Sequence, residues 1–239
     1  MLTSGRDPLA FPTGVTARFD PSHIAGANPY FSFVPIGQAF VDVCRPFPPL
    51  TNSSTYGKVI SPVGPAPFFD NFQETTFGGY PTRNQEQATA AGIFKFTGLS
   101  ASTVTFIKAT TGGCGYFQST SANLLTWTVP GVSSYVSAYT FLVDVPYFVA
   151  VSEYRSAASD SLRFCVKRLD TGGLYTEVRT STNSARTSPS GGITIGGAGT
   201  VNKFYAAAFM YSEKALSIAE LVKWSKNPWS FWYDIPDAA

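Results

Sequence analysis

A chain of 239 residues with 44% apolar residues is long enough to bury one substantial core and too apolar to be disordered. Only 13% of its residues are charged, about half the usual share, and 17 basic against 15 acidic side chains leave a net charge of +2. That balance gives no basic footprint for nucleic acid, no apolar run approaches the roughly 18 residues a membrane-spanning helix needs, and Gly5, Asp7 and Pro8 interrupt MLTSGRDPLAFPTG where a secretory leader would be apolar.

Residues 1–50 carry eight prolines, from Pro8 to Pro49, and show little periodicity. Proline forbids a long helix here, so the segment reads as an extended arm with one short strand near residues 40–43. Residues 61–82 are punctuated by Pro62, Pro65, Pro67, Gly78, Gly79 and Pro81, which predicts loop with isolated short strands. From about residue 89 the texture changes to short β-type segments separated by Gly, Ser, Asn and Asp. Strands are expected near 90–97, 103–108, 115–119, 124–129, 135–142, 146–154, 161–169, 174–180, 192–196 and 203–212. The segment 162–168 alternates cleanly: Leu162, Phe164 and Val166 point one way, Arg163, Cys165 and Lys167 the other. This puts Cys165 away from the core and open to modification unless a partner covers it. The segment 204–211 is apolar on both faces and reads as a central, doubly covered strand.

Ser217 followed by Glu220 is a capping box, with Leu216 and Leu221 at the flanking staple positions. Ile218, Leu221 and Val222 give an apolar stripe, so a helix is expected near 217–226, ended by Pro228. Many short strands with almost no helix between them predict an all-β antiparallel sandwich. No linker divides residues 51–239, which read as one domain behind the arm.

Scarce charge implies either a Ser/Thr surface or one covered in an assembly. Cys44, Cys114 and Cys165 form an odd set without close spacing, which speaks against a disulfide framework and a zinc site. Asn52-Ser53-Ser54 has the glycosylation pattern, read as chance without a secretory leader.

The order of several motifs carries a resemblance. YSEKALSIAELVKWSKNPW (211–229) resembles the closing helix of laminin-G-like domains of the concanavalin A-like lectin/glucanase superfamily, with Lys214 where arginine is usual. PYFVAVSEY, LRFCVKRL and ITIGG, at 146–154, 162–169 and 193–197, resemble successive strands of those domains, with Asp170 and Gly172 displaced. Upstream, the leader MLTSGRDPL, FDPSH (19–23) and VGPAPFFD (63–70) resemble proteins encoded with head genes of tailed phages. The resemblance implies a jelly-roll of two curved antiparallel sheets. It implies a structural virion protein, a capsid decoration or cement protein made in the bacterial cytoplasm and held on the phage head surface. Its partners would be the major capsid protein and copies of itself, with no nucleic acid and no membrane. The alternatives are a carbohydrate-binding module on the virion surface or tail fibre, and a glycan hydrolase.

Catalytic chemistry finds little support in the residues. A retaining glucanase needs two carboxylates about 5 Å apart, and the superfamily's E-x-D-x-x-E string does not occur. His23 is the single histidine and lies in the proline-rich arm, where a turn explains it better than a triad. Asp144, Asp160 and Asp170 are isolated, so turn aspartates are a plainer reading than a calcium site. GGITIGGAG (191–199) lacks the lysine and following helix of a phosphate loop. The expectation is therefore no enzyme, no cofactor, no metal and no disulfide. Aromatic stacking on a glycan has candidates in Trp127, Tyr135, Tyr139, Tyr154 and Tyr175, although sandwich aromatics are usually core. Tyr175 shares a face with Glu177 and Arg179, which reads as outward, and is the strongest of them. For partner binding, Arg6, Phe11, Arg18 and Phe19 in the arm are expected to contact capsid or sister subunits, while residues 31–43 pack on the body. The aromatic cluster of Trp224, Trp229, Phe231, Trp232 and Tyr233 reads either as a seal on the sandwich edge or as an interface anchor, and Trp229 and Trp232 are the expected contacts if the arm is not the anchor.

Overall fold

The computed structural model describes the backbone over residues 29–36, 39–42, 49–52, 55–61, 64–70, 74–80, 87–98, 104–111, 116–119, 124–129, 133–155, 160–181, 190–196, 203–212 and 214–228. Side chains are described over 87, 89–96, 124–127, 135–154, 161–180, 204–210, 212 and 214–228. The strands, in chain order, are β1 Pro29–Ile36, β2 Ala39–Asp42, β3 Pro49–Asn52, β4 Thr55–Ser61, β5 Gly64–Asp70, β6 Glu74–Tyr80, β7 Gln87–Gly98 and β8 Val104–Thr111. They continue with β9 Tyr116–Ser119, β10 Leu124–Val129, β11 Ser133–Thr140, β12 Pro146–Arg155, β13 Asp160–Arg168, β14 Leu174–Ser181, β15 Ser190–Gly196 and β16 Lys203–Ser212, followed by helix α1, Ile218–Lys226.

They form two antiparallel sheets. The first runs β14-β13-β12-β7-β16-β1-β2, with β5 on β16 and β4 on β5; the second runs β11-β10-β9-β8-β15-β6-β3. The all-β sandwich read from the sequence is the fold observed. β16 stands between β7 and β1, and its Phe204, Ala206, Ala208 and Met210 are buried, as expected of a central strand.

The segment before residue 87 departs from expectation. It holds six strands, where one near 40–43 and scattered short ones were read. Proline excludes helix but not a strand start, a bulge or an edge. Pro29 opens β1 and Pro49 opens β3, each beside a register shift, and Pro35 pairs with Phe40 of the edge strand β2. Strand pairing there is carried by backbone, with no alternating pattern to announce it.

Phe94, Phe96, Val149, Val151, Leu162, Phe164 and Val166 from the first sheet are buried, as are Leu125 and Trp127 from the second. The interior is joined across the sheets by the Trp127 indole, which donates to Glu153 Oε2 at 2.9 Å. Burying that much apolar surface is the main stabilising term of such a sandwich.

The opposite face of the first sheet is closed by α1. Ala91, Ile93, Phe148, Ala150, Cys165 and Met210 form a second buried layer with Leu216 and Leu221. The Ser217 hydroxyl accepts from the Glu220 amide at 3.3 Å, and Glu220 Oε2 accepts from the Ser217 amide at 2.7 Å, so the capping box is formed. Asn227 ends the helix at φ −136°. A buried polar pair fixes the strand-to-helix connection. Thr89 Oγ1 donates to the Lys214 carbonyl at 2.7 Å, and Ser152 Oγ accepts from the Leu216 amide at 2.7 Å.

Cys165 corrects the sequence reading. It does lie opposite Leu162, Phe164 and Val166, but that face is a second core, and Cys165 is fully buried beneath α1. Strand alternation separates two faces; it does not say that the chain's own helix returns to cover the second one.

Candidate functional site

At one end of the sandwich, the β11–β12 connection (141–145) and the β13–β14 turn (169–173) come together where β11 of the second sheet faces β14 of the first. Leu169 N donates to the Pro146 carbonyl at 2.9 Å, which ties the two connections. The β13–β14 turn is tight: Arg168 N donates to Gly173 O at 2.8 Å and Gly172 N to Arg168 O at 3.0 Å. Gly172 sits at φ +75°, a conformation that favours glycine.

From the core to this rim runs a chain of rings. Phe96 lies 5.0 Å from Phe141, Phe141 lies 5.1 Å from Tyr147, Tyr147 lies 5.8 Å from Tyr139, and Tyr139 lies 5.2 Å from Tyr175. The inner rings are buried, whereas Tyr139 and Tyr175 are half-buried. Leu142 and Val143 beside them are exposed. The Tyr147 hydroxyl accepts from the Leu142 amide at 2.9 Å and so holds the connection against the rings. Burial raises the Tyr139 hydroxyl well above the ordinary tyrosine range, with Tyr147 beside it adding to the effect. Burial likewise raises Tyr147 and, with its bond to Glu177, Tyr175. All three are neutral donors and acceptors at neutral pH.

Fixed charges frame the rings. Arg168 grips Asp170 with two bonds, Nε to Oδ1 at 3.0 Å and Nη2 to Oδ2 at 2.7 Å. That bidentate pair holds the Asp170 carboxyl below the usual carboxylate range. Glu177 Oε2 accepts from the Tyr175 hydroxyl at 2.7 Å and from the Ala138 amide of β11 at 3.2 Å, and Arg179 pairs with Oε1. Partial burial pushes the Glu177 carboxyl upward, but the bonds from Tyr175, Arg179, Ala138 and Ser137 together outweigh it and leave it lowered.

The sequence placed Tyr175, Glu177 and Arg179 on one face, and so they are. That face is the inter-sheet side of the edge strand, so Tyr175 is packed on Tyr139 instead of standing free. Tyr139 joins it at the rim. Trp127 is core, Tyr135 is half-buried on β11, and Tyr154 is exposed at the far end of β12. Asp144 occupies a turn at φ +60°, and Asp170 is committed to Arg168 and to the Thr171 amide at 2.8 Å. Among the described residues no three of His, Cys, Asp and Glu gather as metal ligands. Among them, too, no helix is long and apolar enough to cross a membrane. Arg6, Phe11, Arg18, Phe19, His23, Cys44, Cys114, Trp229 and Trp232 lie outside the described residues. What the sequence did not reveal is the ring path through Phe141 and Tyr147 and the Glu177 bond to β11, since both join residues distant in the chain.

No family profile matches the chain, and no curated protein sequence does. Solved structures do resemble it. The binding domain of botulinum neurotoxin DC in complex with SialylT superposes with a TM-score of 0.58 at 10% identity, over 83% of this chain and 51% of that one. Botulinum neurotoxin type C, whose cell entry depends on two ganglioside molecules, gives 0.59 at 10% identity over 86% and 52%. Trypanosoma rangeli sialidase gives 0.60 at 12% identity over 85% and 33%. The chain thus spans about half the length of the neurotoxin chains and a third of the sialidase chain. At these identities the likeness is one of fold: an all-β sandwich, compatible with the concanavalin A-like architecture expected from the motifs.

Proposed function

We propose that this chain is a carbohydrate-binding sandwich module that binds glycans without hydrolysing them, at the rim formed by Tyr139, Tyr175 and the Arg168–Asp170 pair. The observation that carries this reading is the contact of Tyr139 and Tyr175 at the sandwich edge, 5.2 Å apart, beside fixed charged groups. Apolar sugar faces stack on rings, and hydroxyls bond to preorganised charged groups. The fold likeness to a neurotoxin binding domain complexed with SialylT supports the same ligand class. Binding without hydrolysis is favoured because Asp170 and Glu177 are both held ionised, whereas a glycosidase's acid has a raised pKa. A glycan array followed by calorimetric titration tests the reading. Tyr175→Ala should weaken the best ligand at least tenfold with an unchanged circular dichroism spectrum. Absence of any ligand, indifference of binding to Tyr175→Ala, or turnover of the ligand would overturn it.

A second reading concerns where such a module sits. The leader MLTSGRDPL, FDPSH and VGPAPFFD favour attachment to a tailed-phage head, as a decoration protein binding the major capsid protein and copies of itself. The arm residues Arg6, Phe11, Arg18 and Phe19 would anchor it, with Trp229 and Trp232 as the second contact. Deleting residues 2–18 should abolish co-sedimentation with capsids and leave the body folded. Undiminished decoration by the truncated chain would exclude the arm as the anchor.

A further inference from the structure

Strand β14 is the outermost strand of the first sheet among the described residues. Open edges in natural sheets are normally shortened, bulged, or marked with proline or lysine, because unpaired backbone groups recruit other strands. The other edges here follow that rule. β2 and β3 have four residues each, and β3 opens on Pro49. β4, the edge beyond β5, carries Lys58 and breaks register with β5 between Tyr56 and Ile60, and β11 breaks register with β10 between Leu124 and Thr126. β14 has none of these four devices; its inward charges, Glu177 and Arg179, are a further kind of edge protection, but they pair with each other on the inter-sheet face. It runs eight residues, LYTEVRTS, without proline or lysine. Its register with β13 is unbroken, from Asp160 opposite Ser181 to Lys167 opposite Leu174. On its outer face Val178 is 54% and Leu174 47% exposed. Its inner face carries one acid and one base at alternate positions, Glu177 and Arg179.

We infer that β14 pairs antiparallel with β14 of a second copy of this chain, about a twofold axis through Val178. An isologous contact sets each residue against its mirror position in the partner. With the axis at Val178, Val178 meets Val178, Thr176 meets Thr180, and Glu177 meets Arg179 on both sides of the axis. This is the one axis on the strand that places acid opposite base. An axis at Glu177 or at Arg179 sets like charges against each other, which is destabilising. Glu177 Oε1 is already joined by Arg179 Nε of its own strand. The outer nitrogens of the Arg179 fork remain to bridge to the second copy, since a guanidinium carries five donors. The first sheets of two copies become one continuous sheet, and the exposed Val178 is covered by its counterpart.

Sedimentation velocity over a concentration series, with the full chain, tests this. The parent chain should have the mass of two copies. Val178→Lys sets two like charges on the axis, and at the same concentrations it should have the mass of one copy with an unchanged circular dichroism spectrum. Register is read by mild oxidation against the parent chain as blank. Val178→Cys should cross-link to itself, Thr176→Cys alone should not, and a mixture of Thr176→Cys and Thr180→Cys chains should. Val178 lies on the face opposite Tyr175, so single copies of Val178→Lys should keep any glycan binding, and the two proposals fail separately. A parent chain of single-copy mass throughout, a two-copy mass retained by Val178→Lys, or Thr176→Cys cross-linking as readily as Val178→Cys would each overturn the inference.

Discussion

The Trp127 indole on β10 donates to the Glu153 carboxyl group on β12 across the interior of the sandwich, and both side chains are buried. Leaving a buried polar group without its hydrogen bond costs about 1–3 kcal/mol. Trp127→Phe removes the donor and part of the ring volume, so it should destabilise by at least about 2 kcal/mol in urea unfolding. Glu153→Gln keeps an oxygen acceptor and should cost less than Trp127→Phe. Equal stability of the parent and Trp127→Phe would show that the bond contributes nothing.

Cys165 should be chemically silent in the folded chain. Burial pushes its thiol up to about 11, so almost no thiolate exists at neutral pH, and α1 blocks access. Labelling with a maleimide followed by peptide mass mapping should find Cys165 unmodified in the native protein and modified once denaturant is added. Rapid native labelling at Cys165 would mean that α1 leaves the sheet.

Acid should weaken the fold through three carboxyls. Asp170 is lowered by Arg168, Glu220 by Ser217, and Glu177 by bonds that outweigh its burial. A carboxyl lowered in the folded state stabilises above its unfolded value, and that stability is lost as pH falls through the folded value. Unfolding free energy should hold from neutral pH to the ordinary carboxylate range and decline below it. Asp170→Asn and Glu220→Gln should each flatten that decline. A profile that stays level into strong acid would contradict the sign.

Gly92 lies where β7 meets both neighbours, opposite Val149 and Phe209. A Cβ there would stand 2.5 Å from Phe94 Cε2 and 3.0 Å from the Ala208 carbonyl oxygen. The Phe94 ring is buried and cannot swing into solvent. Gly92→Ala should therefore cost about 1–3 kcal/mol, the usual range for overpacking. Thermal melting reads this directly, and an unchanged midpoint would mean that the ring yields freely.

What the sequence made legible followed local pattern. Leu162, Phe164 and Val166 alternate, and all three turned inward; Ser217 and Glu220 sit at capping-box spacing, and the box formed. Residues 29–80 were harder because strands such as β5, GPAPFFD, have neither alternation nor β-branched residues. Cys165 was placed on the correct face, but its covering comes from Leu216 and Leu221, more than fifty positions away, and no local pattern encodes that meeting. The rim was half visible. Tyr175, Glu177 and Arg179 share period-two spacing, whereas Tyr139 and the Ala138 amide reach them only because two sheets stack.

The position of β16 bears on how the chain comes to be folded. It is the last strand described, yet it lies between β7 and β1. As a ribosome extends the chain, β7 and β1 therefore wait, each with an unfilled side, until residues 203–212 emerge. Pairing partners so far apart in the chain close slowly, and exposed strand sides in the meantime invite aggregation. Nascent chains arrested before residue 203 would hold a sheet divided at its middle, a natural substrate for chaperones that hold unfinished β-proteins.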